Sequence, residues 1–189
     1  MEQTNTGPYD ELKPWAEPGA VWRKSAVLIL LYPRAGEDYI VFMRRTETVA
    51  HHKGQISLPG GGYEPADPDL IHTALREANE ELGIDPGRVQ VLSTMPDVYA
   101  RVSFFVITPV IARLKPGDGN ELLFKPNPNE VAEVIEVPLR VLRDPATHRT
   151  ELRTRDGITY QLHFYTYGPY EIWGATGRII HEFLKNYDG

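Results

Sequence analysis

The sequence contains no cysteine, which removes disulfides, thiolate metal sites and a cysteine nucleophile at one stroke. It has no apolar run of about 18 residues, so no segment reads as a membrane-spanning helix. The opening stretch MEQTNTGPYDELKPW is polar and acidic and lacks the apolar centre of a signal segment. Positive charge is in the minority: 20 Lys and Arg face 26 Asp and Glu, for a net charge of -6. Nucleic-acid surfaces usually carry a basic patch, so this balance argues against one. Internal repeats and low-complexity tracts are also missing. What is present, 189 residues of which 41% are hydrophobic and 24% charged, suits one globular domain with its own core, expected in the cytoplasm. Residues 1–20, polar and proline-containing, read as an arm, and 21–187 as the domain.

Along the chain, AVLILLYP (26–33) and YIVFMRR (39–45) read as apolar strands separated by the turn-rich RAGED. GQISLPGGG (54–62) is a short strand running into a glycine turn. A helix is expected from about Pro68 to Leu82, with Asp67 at the N-cap, Pro68 at the first helical position and Gly83 as the stop. VQVLSTM and VSFFVITPVIARL are further strands. NELLFKPNPNEVAEVIEVPL is an irregular loop leading into a strand at about 131–137. THRTELRTRDGITYQLHFYTY reads as a hairpin about Asp156-Gly157. IWGATGRIIHEFLKNY is an amphipathic helix with Ile179, Ile180, Phe183 and Leu184 on one face. Many strands with few helices indicate an α+β sandwich rather than a doubly wound sheet. Tyr160, Phe164, Tyr165, Tyr167, Tyr170 and Trp173 could stack on an adenine, but core packing is the commoner use of such a group.

The central helix carries the unusual feature. Projected at about 100° per residue, Leu70, Ile71, Ala74, Leu75, Ala78 and Leu82 form one apolar arc, and Glu77, Glu80 and Glu81 gather on its flank with Arg76 beyond them. Like charges at this spacing cost an isolated helix a few tenths of a kcal/mol per pair. A divalent cation would reverse that repulsion, because carboxylate oxygens are hard ligands suited to Mg²⁺. An ordinary solvated acidic face is the alternative. The preceding PGGG (59–62) lets the backbone turn sharply and approach a ligand.

GGGYEPADPDLIHTALREANEELGI as a whole resembles the Nudix box, G-x5-E-x7-R-E-U-x-E-E-x-G-U with U aliphatic. Arg76, Glu77, Glu80, Glu81, Gly83 and Ile84 match, and Ala78 is a small member of the aliphatic position. Eight residues before Arg76 stands Pro68 rather than Glu; Asp67 fits the first half only with one residue inserted, as in the coenzyme A branch. The resemblance implies an α/β/α sandwich with a mixed central sheet, a Mg²⁺ or Mn²⁺ cofactor, and hydrolysis of a nucleoside diphosphate linked to another group. By position it implies Glu77, Glu80 and Glu81 as metal ligands, a loop carbonyl near Gly61 completing the shell, and Arg76 orienting Glu77. Glu130 in PNPNEVAEV is the candidate for a further base, with Glu133 behind it, and Asp67 is given a capping role.

RRTETVAHHKGQISLPGG (44–61) is similar to the motif upstream of the box in coenzyme A pyrophosphatases, Arg-Ser-x3-Arg-x3-Gly-x3-Phe-Pro-Gly-Gly. Arg45, Gly54, Pro59, Gly60 and Gly61 agree; Thr46 and Leu58 are mild changes; Ala50 replaces the second arginine, with His51, His52 and Lys53 directly after it. Arg45, His52, Lys53, Gly54, Gln55 and Gly60 are the implied substrate contacts. His51 and His52 are adjacent on an extended segment, point to opposite faces and do not suit one shared ion. The expected partner is a coenzyme A-like nucleotide, with no nucleic acid and no membrane, and a homodimer by analogy with Nudix proteins. ADP-ribose, NADH or a nucleoside triphosphate as substrate, and a non-catalytic nucleotide sensor, stay open.

Overall fold

Strand β1 (Arg23–Arg34) is the axis of the molecule. Its interior alternates between two destinations: Ala26, Leu28, Leu30 and Tyr32 enter one apolar cluster, while Ile29 and Leu31 enter another on the opposite face. A strand covered on both faces has to be apolar at every position, which explains the unbroken AVLILLY run. The computed structural model describes residues 21–34, 36–46, 54–100, 103–115, 124–155 and 157–187.

In chain order the other elements are β2 (Glu37–Arg45), β3 (Ile56–Ser57), β4 (Gly60–Gly62), α1 (Leu70–Leu82), β5 (Val89–Thr94), β6 (Val98–Ala100) and β7 (Phe105–Leu114). Then come β8 (Val131–Pro138), α2 (Leu139–Arg143), β9 (His148–Arg155), β10 (Ile158–Tyr167), β11 (Tyr170–Ile172) and α3 (Gly174–Asn186). Among the described residues, β1 to β8 form one eight-stranded sheet with the path β3-β2-β1-β7-β5. It is mixed: β1 runs parallel to β7 and antiparallel to β2. Strands β9, β10 and β11 form a separate antiparallel sheet. Helix α1 lays Ala74, Ala78 and Leu82 on one face of the central sheet, and α3 lays Ile179, Ile180 and Phe183 on the other. The expected α+β sandwich is therefore the fold observed.

One detail of topology positions the site. Strand β2 pairs with β1 only over Leu31–Arg34, and β4 takes up the same edge nearer the start of β1, pairing Gly60, Gly61 and Gly62 with Val27, Ala26 and Ser25. The glycine strand thereby lies beside α1.

Three expectations need correction. The helix begins at Leu70, not Pro68, and its N-cap is Asp69, whose extended backbone and carboxylate accepting from the His72 N–H at 2.8 Å close the first turn. Asp67 is therefore not the cap. The short elements β6, α2 and β11 escaped the sequence reading, since runs of three to five residues hold too little periodicity. The stop at Gly83 holds: its φ of 68° is left-handed, and Gly83 and Ile84 donate back to Asn79 and Ala78. The hairpin and the final helix also stand where expected. Tyr165, Tyr167 and Tyr170 pack in the α3-side core, as the packing alternative anticipates.

Candidate active site

Glu81 is the centre of the site. Its residue is 1% exposed, deeper than a place on the flank of the apolar arc requires. The arc that docks α1 is rotated towards it, burying Thr73, Ala74, Ala78, Glu81 and Leu82 and leaving Leu70, Ile71 and Leu75 half-buried. Two donors meet its carboxylate: the Gly60 N–H at 2.9 Å on Oε2 and Arg45 Nη1 at 3.2 Å on Oε1. Burial pushes this carboxyl up to about 8, with the Glu77 and Glu130 charges adding to the rise, against the pull of the Gly60 N–H and Arg45. Glu77 is raised too, first by burial, and again the Glu130 charge contributes. Burial thus disfavours the ionised form of both carboxylates, and the neighbouring carboxylates add to it.

Arg76 organises the second layer. Its Nε and Nη2 grip Asp67 at 2.9 and 3.1 Å, Nη2 also donates to the Gly62 carbonyl at 3.0 Å, and Nη1 bridges Glu77 and Glu80 at 3.0 Å each. Asp67 is buried, accepts also from the Glu64 N–H and the Thr73 hydroxyl, and is held well below the usual carboxylate range, first by its bond to Arg76. Sequence reasoning missed this role. The signal was the one-residue insertion that puts Asp67 at the first acidic position of the box, which outranks its proximity to the helix start.

The glycines are required by contact. A Cβ on Gly61 would lie 2.5 Å from Glu77 Cδ and Oε1; one on Gly60, whose φ is 152°, would lie 2.3 Å from the Ala26 carbonyl oxygen. Gly61→Ala is expected to displace the Glu77 carboxylate and lower turnover at least tenfold with little change in Tm. Gly60→Ala meets rigid backbone and strain of about 1–3 kcal/mol, so it lowers Tm as well. Steady-state kinetics beside thermal melts separate the two.

Of the other expected residues, Arg45 and Glu130 are brought to the carboxylates and Glu133 is not. Glu130 is half-buried on the loop tied to the end of α1 by Lys125 N–H to Leu82 O and Asn127 N–H to Glu81 O, 2.8 Å each, and accepts from Asn127 Nδ2 at 3.1 Å. Glu133, its reserve, accepts from Tyr170 and from Arg44, and Tyr170 belongs to the core on the α3 side, across the sheet from α1. Arg45, expected to meet substrate, is paired with Glu81. Gly54 has a left-handed φ of 65°, and the Gln55 carbonyl accepts from the Arg45 N–H at 3.0 Å. His52 and Lys53, with His51 and Ala50, lie outside the described residues.

The donor types suit a hard divalent cation: carboxylate oxygens of Glu77, Glu80 and Glu81 beside a glycine backbone whose place a Cβ would fill, with Glu77 and Glu81 costly to ionise where they are buried. A mixed sheet between helices, with an acidic helix against a glycine strand, is the arrangement that the resemblance to the Nudix box, and with it a phosphate-anhydride hydrolase, implies. Comparison with known proteins agrees. Residues 22–156 match the NUDIX domain. Over 163 residues the chain is 36% identical to the uncharacterized Nudix hydrolase NudL of Photorhabdus laumondii, covering 86% of this chain and 84% of that protein. It is also 36% identical over 163 residues to the mitochondrial coenzyme A diphosphatase NUDT8 of Mus musculus, covering 85% and 76%. A MutT/nudix family protein from Enterococcus faecalis superposes with a TM-score of 0.54 over 96% of this chain and 71% of that one, at 14% identity, a likeness of fold. The chain belongs to the Nudix family and is a Nudix hydrolase. Among the described residues no helix is long and apolar enough to cross a membrane.

Proposed function

We propose that this Nudix hydrolase cleaves the pyrophosphate of coenzyme A or an acyl-coenzyme A, adding water across the anhydride to release 3′,5′-ADP and 4′-phosphopantetheine or its acyl form. The observation that carries the reading is the buried Glu81 carboxylate beside Glu77, fixed by Gly60 and Arg45 on the strand ends that bear the upstream motif. Similarity to a protein named a coenzyme A diphosphatase supports the substrate class.

Glu77, Glu80 and Glu81, with a backbone oxygen near Gly61, would hold Mg²⁺ or Mn²⁺. Bound there, the ion would neutralise phosphate oxygens and make water a better nucleophile. The chain's own residues do the rest. Arg76 orients Glu77 and, through Gly62, locks the glycine strand to the helix. Glu130, close enough for its charge to bear on Glu77 and Glu81, takes the proton of the attacking water. Arg45, paired with Glu81 here, would be free to meet the substrate's phosphates when that carboxylate serves a cation, and the side-chain-free Gly60 would let the backbone approach the anhydride. His52, Lys53, Gly54 and Gln55 are the residues we assign to the 3′-phosphate of coenzyme A, from the upstream motif. The protein works as a cytoplasmic domain over 21–187, with a homodimer as the assembly.

The test is product analysis: coenzyme A and ADP-ribose, each incubated with protein and Mg²⁺. We expect 3′,5′-ADP from coenzyme A and slower turnover of ADP-ribose. Cleavage of ADP-ribose alone would overturn the substrate assignment and keep the chemistry, and would point to Ala50, which stands where the motif has arginine.

A further inference from the structure

Three of the chain's six histidines converge on the far side of the molecule from the carboxylates. His148 opens β9, His163 lies in β10, and His181 lies in α3. The register sets His148 opposite Tyr165, two residues along β10 from His163, so both imidazoles stand on one face of the small sheet. Helix α3 covers that face closely: a Cβ on Gly177 would lie 2.3 Å from the His163 carbonyl oxygen. One turn further on, His181 is brought over His163, with ring centroids 3.6 Å apart. Nitrogens of all three rings lie within 4.8 Å of one another, and His148 Nε2 is 3.0 Å from His163 Nδ1. An edge of a tetrahedral site with Zn–N bonds of about 2.0–2.1 Å measures about 3.3 Å, so the rings, now stacked with planes 7–20° apart, close the site by turning out of the stack until their nitrogens converge.

We infer that His148, His163 and His181 form a binding site for a borderline divalent cation of the Zn²⁺ or Co²⁺ class, distinct from the carboxylate site of the hydrolase. Imidazole nitrogen selects such ions, whereas Mg²⁺ demands oxygen. The ligands are held neutral, as coordination requires: burial and the neighbouring imidazoles push His163 down to about 4, and burial lowers His148 and His181. An outer partner is in place. The Tyr165 hydroxyl stands 3.2 Å from His181 Nδ1, which suits Nδ1–H donating to it and Nε2 facing the ion. Glu182 and Lys185, on the same helix, are the charged groups felt here, of opposite sign and paired with each other at 3.3 Å. The fourth position is left to water. An ion bound there would pin α3 to β9 and β10. His163 and His181 lie beyond residue 156, past the stretch matched by the NUDIX domain, while His148 lies within it.

The full chain in excess Mg²⁺ is titrated with Co²⁺ and followed by visible absorption. We expect one equivalent giving the strong bands of a low-symmetry nitrogen site, bleached by Zn²⁺, and a loss of affinity of at least about 10–100-fold in His148→Gln and in His181→Gln. As a check that needs no variant, side-chain ¹⁵N spectra of the unmodified protein with Zn²⁺ should shift three imidazoles together. A weak octahedral spectrum alone, or unchanged binding in both variants, overturns the site. Turnover is not the readout, so failure of the hydrolase reading would leave this result standing.

Discussion

Glu81→Gln is expected to abolish cation-dependent hydrolysis, with turnover lowered by about 100-fold or more, while the metal-free protein becomes more stable in alkaline buffer. Both effects come from one buried carboxylate. Its residue is 1% exposed, its two hydrogen-bond donors are one neutral amide and one arginine, and its neighbours in charge are other carboxylates. The folded protein therefore favours the protonated form, and the carboxyl titrates at about 8 against an ordinary 4.5. A raised value gives stability that is complete below 4.5 and is lost as pH rises through about 8. The cost of the buried charge is of the order of a few kcal/mol. Melting temperature without metal should then fall from about pH 5 to pH 9 in the natural protein and stay flatter in Glu81→Gln. Mg²⁺ must displace that proton, so the thermal shift it causes should grow with pH over the same window. A shift independent of pH, or a variant that keeps full turnover, would remove Glu81 from the centre of the site.

The same residue shows how far the sequence could be read. Glutamates at 77, 80 and 81 and the neighbouring arginine were legible because they occupy one helix, where local geometry fixes relative position. Their differing environments were not. Glu81 is buried and Glu80 exposed because β4 slides into the gap that β2 leaves beside β1, a tertiary event no periodicity records. Strands β1 and β2 and the closing helix were legible from apolar runs and a helical stripe. Asp67 was misjudged because two acids, Asp67 and Asp69, stand near the helix start; Asp69 caps it, and Arg76 holds Asp67. The histidines at 148, 163 and 181 escaped entirely: their spacing across two strands and a helix carries no local signal, whereas the adjacent His51 and His52 attracted notice. Glu133 was a plausible reserve base by proximity to Glu130, but the period of two along β8 turns it to the α3 side of the sheet.

Arg76→Ala is expected to cost both activity and about 3 kcal/mol of stability, because it strands a buried anion. Asp67 is 7% exposed and loses the two guanidinium bonds at 2.9 and 3.1 Å, keeping only the Glu64 N–H and the Thr73 hydroxyl. Glu77 and Glu80 lose their shared partner and repel, and the Gly62 carbonyl loses its donor, so the glycine strand is freed from the helix. Arg76→Lys should recover little, since an ammonium cannot grip a carboxylate with two parallel bonds and reach a carbonyl besides. The sign of the pH effect follows from Asp67. A depressed carboxyl gives stability that is present above the ordinary Asp value of about 4 and is lost only as pH falls through the much lower folded value. The difference in melting temperature between natural protein and Arg76→Ala should therefore be greatest above about pH 5 and shrink in acid. Adding Asp67→Asn to Arg76→Ala separates the two roles. The double variant removes the stranded charge and should regain most of the lost stability, yet it leaves Glu77 unoriented and should stay as inactive as Arg76→Ala. Recovery of turnover together with stability would mean that Arg76 serves the fold and not the alignment of Glu77.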